Sequence, residues 1–159
     1  MSSEDFTRML VKGRIAETVF AQMLRSTGKF TVLKFGYEKI IPELVGFGQD
    51  VDDNAGVLDT LRSAPDFAVI NRETKEVRLI EVKYRTRLHK PEILARAQKM
   101  HESWNPSYLF VATQDKFYFD EISTIIANNG NISELKHVFL PQDLQDKYIQ
   151  IIKDFETVA

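Results

Sequence analysis

The chain has 159 residues, enough for one domain with a sizeable core, and its 43% hydrophobic and 28% charged residues are those of an ordinary globular protein. A formal net charge of -2 argues against attachment to nucleic acid by global charge alone, and the lack of cysteine excludes disulfides, thiolate nucleophiles and cysteine-held zinc. There is no apolar run near the ~18 residues of a membrane span, and MSSEDFTRML lacks a basic start followed by an apolar stretch, so no membrane is expected as a partner and a cytoplasmic setting is.

Residues 4–25 predict an amphipathic helix, with Ser3 as N-cap and Glu4 and Asp5 favouring its N-terminus. Phe6, Leu10, Gly13, Glu17, Phe20 and Leu24 recur at alternating spacings of four and three, which marks the core-facing stripe. Glu17 is the misfit, because a carboxylate on an apolar stripe is costly unless it is paired or bound to a cation. Gly28 is a C-cap candidate, and residues 29–37 predict a strand. Residues 38–64 are broken by Pro42, Gly46, Gly48 and Gly56 and read as an acidic surface insertion with a short helical piece near 57–62. Asp50, Asp52 and Asn54 superficially match a calcium loop, but Ala55 and Leu61 stand where that loop needs glycine and glutamate, so calcium is not expected there.

The stretch 64–87, APDFAVINRETKEVRLIEVKYRTR, predicts a hairpin, with strands at 66–71 and 77–84 and a polar turn between them. Strand side chains alternate faces, so Glu81 and Lys83 point the same way, roughly 7 Å apart along the strand. Simple antiparallel register brings Asp66 opposite the end of the second strand, and three ionisable groups then converge.

Pro91 opens a helix continuing through 92–103, with Ile93, Ala97 and Met100 buried, Arg96 and Lys99 more exposed and Gln98 between. Strands follow at 108–113 and 116–120, then helices at 121–128 and 141–155, with NNGN at 128–131 as a turn. The order is α-β-β-β-α-β with C-terminal helical additions, an α/β fold with a sheet covered on both faces, and no linker or repeat divides residues 1–159 into more than one domain.

Two carboxylates and a lysine on a strand pair are suited to phosphodiester hydrolysis. Asp66 and Glu81 would offer the hard oxygen ligands that Mg2+ prefers, with Mn2+ able to substitute. The metal would polarise the phosphoryl oxygen and acidify its water. Lys83 would orient or activate that water and stabilise developing charge. Glu17 could complete the site or help hold a second metal. From 83 to 99 the basic residues Lys83, Arg85, Arg87, Lys90, Arg96 and Lys99 face one acid, Glu92, a local surface suited to a polyanion such as DNA. His89, His101 and His137 have no paired spacing for zinc. Trp104 and Tyr108 read as core or turn packing.

Pro65-Asp66 followed by Glu81-Val82-Lys83, with fourteen residues between Asp66 and Glu81, resembles the PD-(D/E)XK nuclease motif, and Glu17 matches the helix glutamate common in that superfamily. Lys12-Gly13-Arg14-Ile15-Ala16-Glu17 taken with Glu81-Val82-Lys83 is similar to the archaeal-type Holliday junction resolvases. The resemblance covers roughly the first hundred residues in element order. It implies a restriction-endonuclease-like mixed central sheet flanked by helices, an endonuclease acting in DNA repair, recombination or restriction, and a homodimer. It also implies an accessory role for Gln98, although no tyrosine follows at Glu102, and the 38–64 insertion is longer and more acidic than a minimal resolvase carries.

Other readings remain open at this point. Glu81 and Lys83 could be a surface ion pair on an edge strand, and the basic run could be solvated charge. RNA could replace DNA. The domain could also be a catalytically silent DNA-binding or assembly module, with a partner protein selecting the substrate.

Overall fold

The computed structural model describes residues 2–36, 60–61 and 63–158. The insertion expected at about 38–64, with its acidic run, lies almost entirely outside the described residues.

Helix α1 (Ser3–Ser26) is capped by Ser2 rather than Ser3. The Ser2 hydroxyl accepts the Asp5 N–H at 3.1 Å, and the Asp5 carboxylate accepts the Ser2 N–H at 3.3 Å. That reciprocal box needs an acid three residues after the cap, which Ser2 has and Ser3, followed by Phe6, lacks. The apolar stripe divides. Phe20 and Leu24 are buried, whereas Phe6 and Leu10, expected in the core, are exposed, because full burial along the helix begins only at Ala16.

Five strands form one mixed sheet in the order β1 (Phe30–Lys34), β2 (Phe67–Asn71), β3 (Val77–Tyr84), β4 (Tyr108–Ala112), β5 (Phe117–Glu121). The β2–β3 hairpin turns at 72–76, where the Asn71 side chain accepts the N–H groups of Glu73 and Thr74 at 2.9 and 3.1 Å and Lys75 takes a positive φ of 64°. Such Asx geometry supplies the turn from the sequence itself. Strands β3 and β4 are parallel, so the chain must cross over between them, which it does through α2 (Lys90–Ser103). The other three strand pairs are antiparallel.

Helices cover both faces. Phe20 sits against Phe67 and Phe110 with ring centroids 5.2 and 4.9 Å away, in a core shared with Val82 of β3 and Ile152 of α4 (Gln142–Val158). Burying a phenylalanine of this kind is worth about 1.5–3 kcal/mol. On the opposite face Ile93, Ala97 and Met100 of α2 pack with Leu109, Val111 and the Ile122 and Ile125 side chains of α3 (Ile122–Ala127). The strand alternation expected for β3 therefore holds: Ile80 and Val82 face α1, while Glu81 and Lys83 fall on the α2 side. No helix among the described residues is long and apolar enough to cross a membrane.

Candidate active site

Strand β3 is central and longer than its neighbour β2. Their pairing runs from Phe67↔Ile80 to Ile70↔Val77, which leaves Glu81–Tyr84 paired only with β4 on the other side. Asp66, the residue just before β2, continues the antiparallel register to a position opposite Glu81. Its backbone carbonyl accepts the Phe35 and Gly36 N–H groups at 2.9 and 3.3 Å, and its carboxylate accepts the Val82 N–H at 2.8 Å. The side chain is thus locked against the projecting end of β3.

A groove of about 570 Å³ opens at this end of the sheet. Glu17, Asp66, Glu81 and Lys83 all line it, so the four residues singled out from sequence share one cleft. The edge-strand ion-pair reading fails, because β3 is central, Glu81 is buried, and Lys83 is half-buried. Glu17 is half-buried, and its carboxylate lies 3.6 Å from the Arg14 guanidinium. That ion pair and its place at the groove wall account for the misfit on the stripe.

The side chain of Glu81 is only 4% exposed. Arg96, expected on the exposed side of α2, is instead half-buried and in direct ion-pair contact with Glu81 Oε2. That oxygen accepts no hydrogen bond of ordinary geometry, and the buried Arg96 Nε donates none. The helical period explains the placement, since Arg96 stands three residues after buried Ile93 and next to Ala97, on the flank of the buried stripe.

Burial pushes the Lys83 amine below the usual lysine value. Asp66 pulls it back, Arg85 adds to the depression, and Glu92 and Glu17 oppose it. Burial also lowers Arg96 below the usual arginine value, opposed by Asp66. These influences tie Lys83 and Arg96 electrostatically to the carboxylates of the groove.

The basic residues divide into two sets. Lys83, Arg85, Arg96 and Lys99 line a second recess of about 310 Å³ between β3, β4 and α2. Within it Arg85 pairs with Glu92 and donates to the Tyr84 carbonyl at 2.7 Å, and Lys99 lies 3.5 Å from Glu102. Arg87, on the connection into α2, and Lys90, the first residue of that helix, are exposed. Gln98 is exposed and borders neither recess. Trp104 donates to the Thr60 carbonyl at 2.9 Å and meets Phe35 edge-on, and Tyr108 stacks on Phe119, so both are packing residues as expected.

Comparisons with protein-family models, with curated proteins and with solved structures found no match. Among the described residues no group of three or more His, Asp or Glu side chains draws together as a metal cage. Mg2+ does not require one: it keeps several waters and is commonly held by one or two carboxylates plus substrate phosphate. Asp66 and Glu81, opposite each other in register, one fixed by a backbone N–H and the other buried against Arg96, supply two carboxylates of that kind.

Sequence reasoning assigned Arg96 to a polyanion-facing surface rather than to Glu81, and it missed Phe6, Met9 and Leu10 as groove residues. Arg96 was detectable from its place beside the buried stripe, but a basic residue in a basic run gives no sign of pointing inward. Phe6, Met9 and Leu10 also line the groove, although apolar residues at helical spacing normally signal core.

Proposed function

We propose that this chain is a divalent-metal-dependent deoxyribonuclease, an endonuclease whose sheet and helices follow the restriction-endonuclease-like plan. The supporting observation is that Asp66, Glu81, Lys83 and Glu17 line one groove at the open end of the central strand. A five-strand mixed sheet flanked by helices is compatible with the plan that the PD-(D/E)XK resemblance implies.

In this reading Asp66 and Glu81 hold Mg2+ or Mn2+. When bound, the ion polarises the scissile phosphate and lowers the pKa of a coordinated water. Asp66 is held by the Val82 N–H, so its carboxylate needs little reorganisation to act as a ligand. Lys83 presents its amine to the same space, where it orients the attacking water and donates to the phosphate oxygens that gain charge. Glu17 lies at the groove wall, where it can accept from water at the rim. Arg85 and Lys99 in the adjoining recess, with Arg87 just before α2 and Lys90 at its first residue, take flanking phosphates.

A second reading keeps DNA or a partner protein as ligand but omits turnover. One observation favours it: Glu81 already has a cationic partner in Arg96. Titration calorimetry with Mn2+ separates the two. Binding that is lost in Asp66→Asn and weakened in Glu81→Gln supports the nuclease. No binding by the wild-type protein leaves the silent module.

A further inference from the structure

The groove has two chemically different walls. One carries Asp66, Glu81, Lys83 and Arg85; the other is the first part of α1, where Phe6, Met9 and Leu10 are 57%, 53% and 55% exposed. These three side chains recur at spacings of three and four, so they form a continuous apolar strip rather than scattered surface residues. Large side chains left this open beside a charged cleft mark an interaction surface. Its occupant must offer an apolar face to α1 and anionic charge to Lys83 and Arg85 together.

We propose that the groove binds an unpaired strand of nucleic acid, with bases against Phe6, Met9 and Leu10 and the sugar-phosphate chain along Lys83 and Arg85. This rests on the nuclease reading of the opposite wall and names its substrate class. In a duplex the base faces are stacked on one another and only phosphates and groove edges are offered. In a single strand or an unpaired segment every base has a free face, and aromatic and apolar side chains stack on it with little sequence preference. An apolar protein segment would match α1 but leave the charged wall unanswered, whereas an unpaired strand answers both.

The test is binding without cleavage. Fluorescence anisotropy of the full chain in EDTA compares an oligonucleotide of about 20 nucleotides, longer than the ~4–16 that one single-strand groove occupies, with the same sequence annealed to its complement. The single strand should bind at least about 10-fold tighter, and Phe6→Ala should weaken it by about 5-fold or more while leaving duplex binding unchanged. Phe6 is exposed, so its replacement leaves the fold intact, which circular dichroism verifies. Phe155, also exposed but bordering a different recess on the α4 flank, supplies the control: Phe155→Ala should bind both forms as wild type does. Equal affinity for the two forms overturns the proposal, as does a Phe6→Ala protein with wild-type single-strand affinity. A dimer by light scattering that Phe6→Ala converts to monomer overturns it too, because the strip then belongs to a second copy. Since no metal is present, the preference can fail with metal-dependent cleavage intact, and cleavage can fail with the preference intact.

Discussion

Replacing Arg96 by methionine should expose how Glu81 is held. The Glu81 side chain is 4% exposed and that of Arg96 28%. Removing one partner of a buried ion pair costs about 3–5 kcal/mol, because the remaining charge is stranded out of water. The partly open arginine end places this pair near the lower limit, so Arg96→Met should lose about 3 kcal/mol in urea unfolding with EDTA present. Glu81→Gln with Arg96→Met should recover most of that loss, since neither charge then remains, and the non-additivity should be about 2 kcal/mol or more. If Asp66 and Glu81 hold a divalent ion, Mn2+ should restore part of the loss in Arg96→Met, reaching about 2.7 kcal/mol at a hundredfold excess over the dissociation constant. It should stabilise the wild type less, where the guanidinium competes for the same carboxylate. A loss below about 0.5 kcal/mol in EDTA, the level of an ordinary surface change, would refute the buried-pair reasoning. Additive single mutants would refute it as well.

Lys83 has a folded pKa depressed by burial, so the unfolded chain binds its proton more tightly, and the cost of burying the charge disappears as pH rises from the folded value to the ordinary lysine value of 10.5. Lys83→Met should therefore stabilise the protein at pH 7 and lose that advantage by about pH 10.5; parallel stability curves for the two proteins would contradict this. Replacing Arg87 and Lys90 with alanine should weaken DNA binding for all sequences alike and reduce the slope of log K against log salt by about 0.7–0.9 per lost phosphate contact, measured by anisotropy across a salt series. An unchanged slope removes them from the interface. Gly130 has a φ of +92°, and a Cβ there would meet the Lys90 carbonyl oxygen at 2.4 Å, so Gly130→Ala should cost about 2 kcal/mol or more in thermal unfolding by straining the turn against α2.

The sheet was legible because its signals are local. Asn71 and the polar residues after it define a turn, β-branched alternation defines the strands beside it, and Asp66 opposite Glu81 follows from that turn by counting. Pro91 and the spacing of Ile93, Ala97 and Met100 likewise give α2 and its buried face. The sequence was ambiguous where one pattern serves two ends. Phe6 and Leu10 continue the period of Phe20 and Leu24 without a break, yet helical spacing records a shared face and says nothing of where the packing partner stops. Arg96 was hidden for a related reason: composition registers its charge, while its direction depends on Glu81, fifteen residues earlier and on another element. Ser2 displaced Ser3 as cap because the position of Asp5 decides which serine can form the reciprocal pair.

The central claim is that Asp66, Glu81 and Lys83 together cleave nucleic acid. Its most direct test is the cleavage rate of an end-labelled DNA panel, comprising single-stranded, duplex, flapped and four-way-junction forms, with Mg2+ or Mn2+ against EDTA. Wild-type protein should cleave at least one form only with the divalent ion, and Asp66→Ala and Lys83→Ala should each lose about 100-fold or more, as expected when a group that stabilises the transition state is removed. Cleavage by either variant at the wild-type rate, or by wild type equally well in EDTA, would contradict the account.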